Sequence, residues 1–461
     1  MEEVAAVKLF DTLTAALMLF LCATATAATR PNMVIFIADD HGYLDSEVYG
    51  ANDVRTPNMQ RLARAGITFT HCFVASPSCA PSRAAMLTGL MPARNGAEAN
   101  HSKPRVEIKK LPAYLQDLGY EVAAFGKVAH YNHDRDYGFN HYDKSHAPEV
   151  VREFLEKRDE GKPLCLFVGA HAPHVPWATN ATYAADAVRV PATHVDTPAT
   201  RNFRAAYYTD VTRADAELGG IRDLVRQRLG TNILFIYTSD HGAQWPFGKW
   251  NLYDAGIRVA FIAEWPGVIA PGSRTDAMVS WVDILPTLVE LAGGSRQDDL
   301  DGKSFARVLR GETREHRDKI FSTHSGDGRM NIYPIRSVRT RDWKYILNLH
   351  PEFEYTTHID AAQDRDGVKY WRAWEAAART NGPAKRTVQR YHARPKEELY
   401  DLRKDPLEQE NLAEDTAHVE RLKQFRDEVE AWMKTQGDKR TVFNSPRLLD
   451  KERKEGQELI R

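Results

Sequence analysis

The stretch MVIFIADDHG at residues 33–42 joins a short apolar run to a polar cluster, and this pattern recurs along the chain. Three further apolar runs, at 122–125, 164–170 and 233–237, end in GK, HAPH and TSDHG respectively. Short apolar runs without alternation are typical of strands buried on both faces, as in a parallel sheet. The sequence therefore predicts four buried strands, each with a polar cluster at its carboxyl end.

Helical patterns lie between the predicted strands, over residues 58–65, 111–118, 205–229 and 283–292. Strands that alternate with helices over this length predict a doubly wound α/β fold, with a large, mainly parallel sheet flanked by helices. In open sheets of this kind, ligands bind in the crevice beyond the carboxyl ends of the strands. We therefore expect the polar clusters to meet at one edge of the sheet and to form a site there.

A second, smaller unit is predicted after a charged stretch at residues 312–319. Strand-like runs at 335–338 and 343–349 are followed by apolar residues at helical spacing over 419–432, which predicts a smaller antiparallel sheet packed against a helix. The predicted units are a catalytic α/β domain at 28–315, a C-terminal subdomain at 316–437 and a charged tail at 438–461.

The N-terminus carries the pattern of an export signal. Residues 13–27 are apolar and end in the small-residue tripeptide ATA, which is typical of a signal peptide and its cleavage site, although the usual positive charges before the apolar run are missing. No later run approaches the roughly 18 unbroken apolar residues of a membrane span. We predict a signal peptide at 1–27 and export to the periplasm or the exterior, or to the lysosome in a eukaryote, with no membrane span.

Charge and cysteine content limit the partners and the cross-links. The net charge of the 461-residue chain is −1, which argues against nucleic acid or an anionic membrane as a partner, so any anion recognition must be local. Removal of residues 1–27 would leave Cys72, Cys79 and Cys165. Since Cys72 and Cys165 lie in apolar, strand-like runs, we expect buried thiols; a disulfide between them is the alternative.

Residues 79–89 read CAPSRAAMLTG: a cysteine, a proline suited to a helix's first turn, an arginine and a helical run. This order predicts that Cys79 lies at a helix N-terminus beside the Arg83 guanidinium, a place that favours a negatively charged group. A buried structural cysteine is the alternative for a lone cysteine. The whole stretch resembles the active-site motif of the type I sulfatases, in which this cysteine is oxidised to Cα-formylglycine, whose hydrate attacks sulfur.

Two Asp-containing pairs at strand ends are the candidate metal ligands. Adjacent carboxylates such as Asp39 and Asp40 repel each other unless a cation lies between them, which favours a hard metal; a solvated turn is the alternative. The resemblance implies one Ca²⁺ per chain, bound by Asp39, Asp40, Asp240, His241 and the formylglycine made from Cys79. The family usually has asparagine where His241 stands, and imidazole is a better ligand for transition metals, so Mg²⁺ and Mn²⁺ remain alternatives.

The resemblance also implies a set of catalytic residues: Cys79, Arg83, Lys127, His130, His174 and Lys249. Arg83 is expected to neutralise the surroundings of the nucleophile, and Lys127 to hold the hydrate and the sulfate. His130 is expected to take a proton from the second hydroxyl, and His174, with Lys249, to protonate the leaving group. Cations gathered around a sulfate ester would offset its negative charge. Each lysine or histidine by itself would be read as a solvated surface residue.

Two branches of the family share features with this chain. Segments 330–349 and 391–411 resemble heparan N-sulfatase (sulfamidase), while the Lys-x-x-His spacing and Asp240-His241 resemble iduronate-2-sulfatase. The resemblance implies an alkaline phosphatase/sulfatase-like fold, exo-acting removal of sulfate esters or N-sulfate from a sulfated polysaccharide, as in glycosaminoglycan degradation, and a formylglycine-generating enzyme as maturation partner. Two alternatives are a phosphate or phosphonate ester hydrolase of the same superfamily, and a non-catalytic sulfated-glycan binder if Cys79 is unmodified.

Sugar contacts are expected on predicted loops near the crevice, although a solvated or packed loop residue is the alternative for each of them. The candidates are Asn100, His101, His133, Asp134, His324 and Arg336, with Trp177 and Trp245 as stacking residues.

Overall fold

The computed structural model describes residues 30–361 and 368–450. The predicted signal peptide and the end of the predicted tail lie outside the described residues. Among the helices that are described, none is both long and apolar enough to cross a membrane.

A large sheet of nine strands forms the centre of the protein. Its strands are β1 Asn32–Ala38, β2 Ile67–Phe73, β3 Glu121–Gly126, β4 His141–Asp143, β5 Leu164–Gly169, β6 Ile233–Ser239, β7 Arg258–Glu264, β8 Ser273–Thr275 and β9 Val279–Ser280. They follow the order β4-β3-β5-β1-β6-β7-β2-β8, and β9 pairs with β2. In this spatial order the first five strands, from β4 to β6, are parallel to one another. Strand β7 is antiparallel to both of its neighbours.

Strand β1 shows why the centre of this sheet reads as unbroken apolar sequence. Met33, Ile35 and Ile37 pack into one hydrophobic cluster, while Val34 and Phe36 pack into a second cluster on the opposite face. Successive side chains of a strand point to opposite faces, so both faces of the sheet are covered by helices and need apolar residues. The predicted mainly parallel α/β fold with strands buried on both faces is confirmed.

The α-helices that cover the sheets or connect their strands are Pro57–Ala65, Cys79–Thr88, Pro92–Asn95, Leu111–Asp117, Pro148–Lys157, Pro198–Leu229, Asp254–Ile257, Ile284–Leu291, Ala306–Leu309, His358–Ala361, Val368–Ala378, Gly382–His392 and Val419–Gln436. Short 3₁₀ turns span Glu47–Tyr49, Tyr131–Asp136, Trp281–Asp283 and Thr416–His418.

The smaller sheet follows the large one in the chain and is antiparallel throughout. Its strands are β10 Ile320–His324, β11 Ile335–Arg339, β12 Trp343–Asn348 and β13 Glu397–Asp401. Helix Val419–Gln436 packs Leu422, Phe425 and Val429 against one face of it, so the predicted small sheet with its helix is confirmed. The helices Val368–Ala378 and Gly382–His392, which lie between β12 and β13, were not predicted.

Backbone hydrogen bonds tie the small sheet to the segment that leads into Cys79. Thr323 of β10 donates to the carbonyl of Ala75 at 2.9 Å, and the hydroxyl of Ser322 donates to the carbonyl of Val74 at 2.8 Å. Later in the chain, Asp438 pairs with Arg336 of β11. The C-terminal sheet therefore supports the loop that carries the candidate nucleophile.

The three described cysteines, Cys72, Cys79 and Cys165, are all free and buried. The alternative of a Cys72–Cys165 disulfide is therefore wrong, and both thiols fill core positions as small apolar groups.

Candidate active site

The polar clusters after β1, β3, β5 and β6 meet at one edge of the large sheet, because the carboxyl ends of parallel strands point the same way. Asp39 and Asp40 follow β1, and Asp240 follows β6. The main-chain nitrogen of Asp40 donates to the Asp240 carboxylate at 3.0 Å, which ties the ends of the two neighbouring strands together.

Cys79 is the first residue of helix Cys79–Thr88, and Ser78 before it has an extended backbone. The Cys79 side chain is buried, and the Cys79 Sγ lies 3.4 Å from His241 Nε2 and 3.6 Å from Lys127 Nζ. The helix N-terminus and the lysine both place positive charge beside the sulfur. The predicted position of Cys79 is thus found, at the centre of the site.

Arg83, one turn into the same helix, links the carboxylates of the two strand ends. Its guanidinium lies 2.9 Å from Asp39 and 3.0 Å from Asp240, and it also donates to the main-chain carbonyl of Lys127. All three charged side chains are fully buried. Because a planar fork can serve several acceptors at once, arginine suits this position better than lysine.

The two predicted lysines each pair with one of the adjacent carboxylates. Lys127 Nζ lies 2.5 Å from Asp39 Oδ2, and Lys249 Nζ lies 2.8 Å from Asp40 Oδ2. Burial by itself would raise the pKa of Asp39, but Lys127 and the other nearby cations outweigh it and hold that pKa well below its usual range. Both lysines are buried, so their positive charge is fixed inside the site.

Four side chains could hold a metal ion: Asp40, Cys79, Asp240 and His241 offer ligand atoms that all lie within 4.8 Å of one another. Burial lowers the pKa of His241, but the carboxylates of Asp240 and Asp40 outweigh burial and raise it to about 9. A divalent cation at this place would interact favourably with the same two carboxylates. Two carboxylates are hard donors that fit Ca²⁺ or Mg²⁺, and the imidazole is compatible with Mn²⁺.

Asp39, which is predicted as a fifth ligand, lies beside this cluster and contacts two cations. One oxygen accepts from Arg83 and the other from Lys127, while Oδ1 lies 4.0 Å from Cys79 Sγ. In this arrangement Asp39 holds the two cations in place next to the four-residue cluster.

The predicted proton-transfer histidines flank the cluster. His174 Nε2 lies 3.8 Å from Asp40 Oδ2, and burial, helped by Lys249, lowers the pKa of His174 to about 4. Burial and Lys127 lower the pKa of His130 to about 2. Both rings are therefore neutral at pH 7, which suits His130 as a base. His174 can donate a proton only after an anion beside it raises its pKa.

Residues around the site adopt backbone conformations that are rare for their type. Asp40 and Trp250 have φ of 65° and 66°, and His101 and Tyr131 have φ of 66° and 49°. Such left-handed residues cost free energy and concentrate at functional sites. No local sequence pattern predicts them.

Three of the candidate sugar contacts are buried, and two of them lie on strands instead of the predicted loops. His324 lies on β10 and Arg336 on β11, and both are buried. Asp134 is buried and accepts from the main-chain nitrogen of Ala129. Arg336 is held in the small sheet by Asp438; polar groups of this kind can be buried because each has a partner.

The two candidate stacking residues pack against each other. The rings of Trp177 and Trp245 stack at 4.6 Å and both side chains are buried. They therefore fill the core beneath the loops, as the alternative interpretation held.

Asn100 and His101 do lie beside the site, together with a residue that sequence reasoning missed. Asn100 accepts from the main-chain nitrogen of Ala80 at 3.1 Å and donates to Asp327 at 2.9 Å. Asp327 is buried and also accepts from the indole of Trp250 at 2.7 Å. The only local signal for Asp327 is its place between two glycines after β10.

An open crevice of about 280 Å³ adjoins the site at the edge of β3 and β5 and is lined by Gly126, Lys127, Tyr131, Tyr142, Lys144 and His171. Tyr131 is well exposed, and Lys127 lies over its ring at 5.8 Å. The crevice therefore offers an aromatic face and two ammonium groups, of which that of Lys127 lies 3.6 Å from Cys79 Sγ.

Two family models and two relatives of this chain indicate one family. The family model described as Sulfatase matches residues 31–295, more than half of the chain, and the model described as N-sulphoglucosamine sulphohydrolase, C-terminal, matches residues 241–380. An ulvan-active sulfatase of Formosa agariphila is 31% identical over 431 residues, covering 90% of this chain and 82% of the relative. The human N-sulphoglucosamine sulphohydrolase is 28% identical, with coverage of 87% and 90%.

Among solved structures, a protein in complex with its substrate D-glucosamine-2-N,6-O-disulfate superposes with a TM-score of 0.67 at 20% identity. The match covers 90% of this chain and all of that chain. It supports the fold described above.

Proposed function

Since this chain belongs to the sulfatase family and is a sulfuric ester hydrolase, we propose that it removes sulfate from the end of a sulfated polysaccharide through a formylglycine made from Cys79. The observation that carries the proposal is the position of Cys79. It is the first residue of a buried helix, with Lys127 on one side and the Asp40, Asp240 and His241 cluster on the other.

The buried groups around Cys79 fit both a formylglycine and a divalent cation. Conversion of the thiol would replace a soft donor by oxygen, which matches the hard carboxylates of Asp40 and Asp240. When present, the formylglycine hydrate supplies the hydroxyl that attacks sulfur, and the cation supplies positive charge beside the sulfate oxygens. We propose Ca²⁺ as the cation, with Mg²⁺ and Mn²⁺ as alternatives because of the His241 imidazole.

The protein's own cations would bind and orient the sulfate. Lys127 and Lys249 stay protonated, because the Asp39 and Asp40 carboxylates outweigh the effect of burial and raise the pKa of each lysine. Their charges are fixed before substrate arrives, so they stabilise the negative charge that develops on the sulfate oxygens without reorganisation.

Two histidines are placed to move protons. His174 lies next to Lys249 and Asp40, and a bound sulfate monoester would raise the pKa of His174 so that it can protonate the leaving oxygen or nitrogen. His130 is neutral and can take a proton on the other side of the site. Arg83 keeps Asp39 and Asp240 in place and does not itself transfer a proton.

The proposed substrate class is an anionic polysaccharide end. Relatives of this chain are an ulvan-active sulfatase and an N-sulphoglucosamine sulphohydrolase, which supports a sulfated carbohydrate, either a sulfate ester or an N-sulfate. The small crevice beside Lys127 supports binding of one terminal sugar. We also propose export, from the pattern at residues 13–27, and maturation by a formylglycine-generating enzyme.

Matched sulfate and phosphate esters test this function. We expect the matured protein to release sulfate from at least one sugar in a panel of N-sulfoglucosamine, 2-sulfated uronic acids, 6-sulfated N-acetylglucosamine and ulvan oligosaccharides, with kcat/KM at least about tenfold above that for the same sugar carrying phosphate. Phosphate or phosphonate turnover above sulfate turnover would instead establish an ester hydrolase of the other class. Binding without release of either anion would establish a sulfated-glycan binder.

Calcium binding is expected to stabilise the protein through the four-residue cluster. At a Ca²⁺ concentration about 100 times its Kd, the free energy of unfolding should rise by about 2.7 kcal/mol, as measured by denaturant unfolding with and without chelator. Asp240→Asn should abolish this rise. Asp301→Asn is the control, because Asp301 accepts hydrogen bonds from Arg94 and from the main-chain nitrogen of Met91 and is not one of the four cluster residues. This variant should retain the full Ca²⁺-dependent rise in the free energy of unfolding. A rise that survives in Asp240→Asn would contradict the proposed ligand set.

A further inference from the structure

A chain of hydrogen bonds joins three side chains from separate loops beside the site. His130 Nε2 lies 2.7 Å from His101 Nδ1, and His101 Nε2 lies 3.2 Å from Asp327 Oδ1. In the sequence, His101 precedes His130 by 29 positions, and Asp327 comes from the loop after β10. The order Asp–His–His therefore arises only from the fold.

The Asp327 end of this chain is fixed as an acceptor. Asp327 is buried, and its other oxygen accepts from Trp250 at 2.7 Å and from Asn100 at 2.9 Å. Burial by itself would raise the pKa of Asp327, but these hydrogen bonds and the nearby histidines hold it well below its usual range. An ionised carboxylate can only accept hydrogen bonds.

That acceptor sets the direction of every bond in the chain when each ring carries one proton. Asp327 requires a proton on His101 Nε2, so a His101 ring with a single proton presents a lone pair at Nδ1. That lone pair requires a proton on His130 Nε2, and the neutral His130 ring then has its lone pair at Nδ1.

His130 Nδ1 is the one ring nitrogen of the two histidines that takes no part in this chain of hydrogen bonds. It is buried and, among the residues that the structure describes, has no hydrogen-bond partner. Buried ring nitrogens without a partner are rare and costly in native proteins. A lone pair without a partner marks the atom at which His130 can accept a proton, although burial and Lys127 weaken it as a base.

We propose that His101 and Asp327 are positioning residues that fix the tautomer of His130, so that Nδ1 is the atom that accepts the proton. This inference rests on the proposed function for the role of His130, but the tautomer itself does not. The arrangement is a carboxylate–imidazole–imidazole relay built from Asp327, His101 and His130.

The relay also accounts for how His130 can carry a second proton on its ring. When His130 Nδ1 takes a proton from a hydroxyl, an O–H bond breaks, an N–H bond forms, and the ring becomes a cation. Burial, Lys127 and Arg83 disfavour a positive charge on this ring, and His101 and His133 do so when they are themselves protonated. The carboxylate of Asp327, which acts through the polarised His101 ring, is the compensating negative charge. The proton then leaves to solvent.

Nitrogen NMR of the imidazole rings tests the relay directly. Histidine is labelled with ¹⁵N in the unconverted protein, which keeps its Cys79 thiol, and the His130 signals are assigned by their loss in His130→Gln. We expect His130 to be protonated on Nε2 and bare on Nδ1 at pH 7. His101→Ala should release the Nδ1–H tautomer, because the acceptor for Nε2–H is gone. His101→Asn should restore the Nε2–H tautomer, because its amide oxygen stands where Nδ1 was.

His133→Ala is the matched control for the spectra. The ring of His133 lies 5.6 Å from that of His130, so its removal changes the local environment without touching the relay, and the tautomer should stay as in the native protein. The half-exposed side chain of His101 makes its variants compatible with folding. A native His130 protonated on Nδ1, or a tautomer that His101→Ala leaves unchanged, would overturn the proposal.

Activity of the matured protein gives a second readout. His101→Ala should lower kcat by about 10²-fold and leave KM within about threefold, and His101→Asn should recover most of kcat. A loss confined to KM would mean that His101 contacts the sugar instead, which overturns the relay. If the native protein releases no sulfate at all, the proposed function fails, while the NMR result still decides the tautomer.

Discussion

Replacing Cys79 with alanine is expected to lower the rate of sulfate release by about 10⁴-fold or more, the scale of loss when a nucleophile is removed. The residual rate would come from binding and from the fixed charges of Lys127 and Lys249 alone. The fold should survive, because the side chain is small and Arg83, one turn away, keeps its carboxylate partners. The rate is measured as sulfate release with a substrate from the panel.

Cys165→Ala is the control for this variant. Cys165 is also a free, buried thiol, but it is the second residue of β5 and packs in the core. Its loss should cost some stability and leave sulfate release within about twofold, since it lies away from the reacting groups. Sulfate release that persists in Cys79→Ala to within about tenfold of the native rate would show that the nucleophile is another residue.

Replacing Arg83 with methionine is expected to cause the largest loss of stability. Asp39 and Asp240 are fully buried and would lose the guanidinium that neutralises them. Breaking a buried ion pair by removing one partner costs about 3–5 kcal/mol of the free energy of unfolding. Denaturant unfolding should be followed with a chelator present, so that no metal ion compensates. Sulfate release should also fall by about 10²-fold or more, because the carboxylates no longer hold the site in place.

The variant Arg222→Met separates the loss of stability from the loss of sulfate release. Arg222 pairs with Glu264 through two hydrogen bonds, and both side chains are buried, but the pair lies away from the strand ends that form the site. This variant should lose stability on the same scale while the folded fraction keeps its sulfate release. Arg83→Lys should be intermediate, since one ammonium cannot bridge both carboxylates. An Arg83→Met protein as stable and as active as the native one would contradict this account of the site.

The strand ends illustrate what the sequence alone can predict. MVIFIADDHG and the three similar stretches give both the burial of the strands and the place of the site, because a parallel sheet brings its carboxyl ends to one edge. Helix Cys79–Thr88 could also be predicted, since its proline, its arginine and the glycine that follows it are local signals for a helix. The reversed direction of β7 could not be predicted, because apolar runs do not encode the direction of a strand.

The rest of the site depends on contacts that no local pattern contains. Asp327 meets Asn100 and Trp250 across 227 and 77 positions, and only the packing of the small sheet against the Cys79 segment brings them together. Arg336 shows the opposite error: a charged residue was expected to be exposed, but Asp438 allows it to be buried. Sequence reasoning could not foresee either partner.

The central claim, that this protein hydrolyses sulfate esters or N-sulfates through a converted Cys79, is tested most directly by relating activity to conversion. Protein is prepared with graded amounts of the maturation enzyme, the aldehyde fraction is measured by mass spectrometry of the peptide that contains residue 79, and sulfate release is measured on the same samples. The account predicts a rate that rises in proportion to the aldehyde fraction and, at zero conversion, falls to the residual rate expected for Cys79→Ala. A rate independent of the aldehyde fraction, or no sulfate release from fully converted protein on any sugar of the panel, would contradict it.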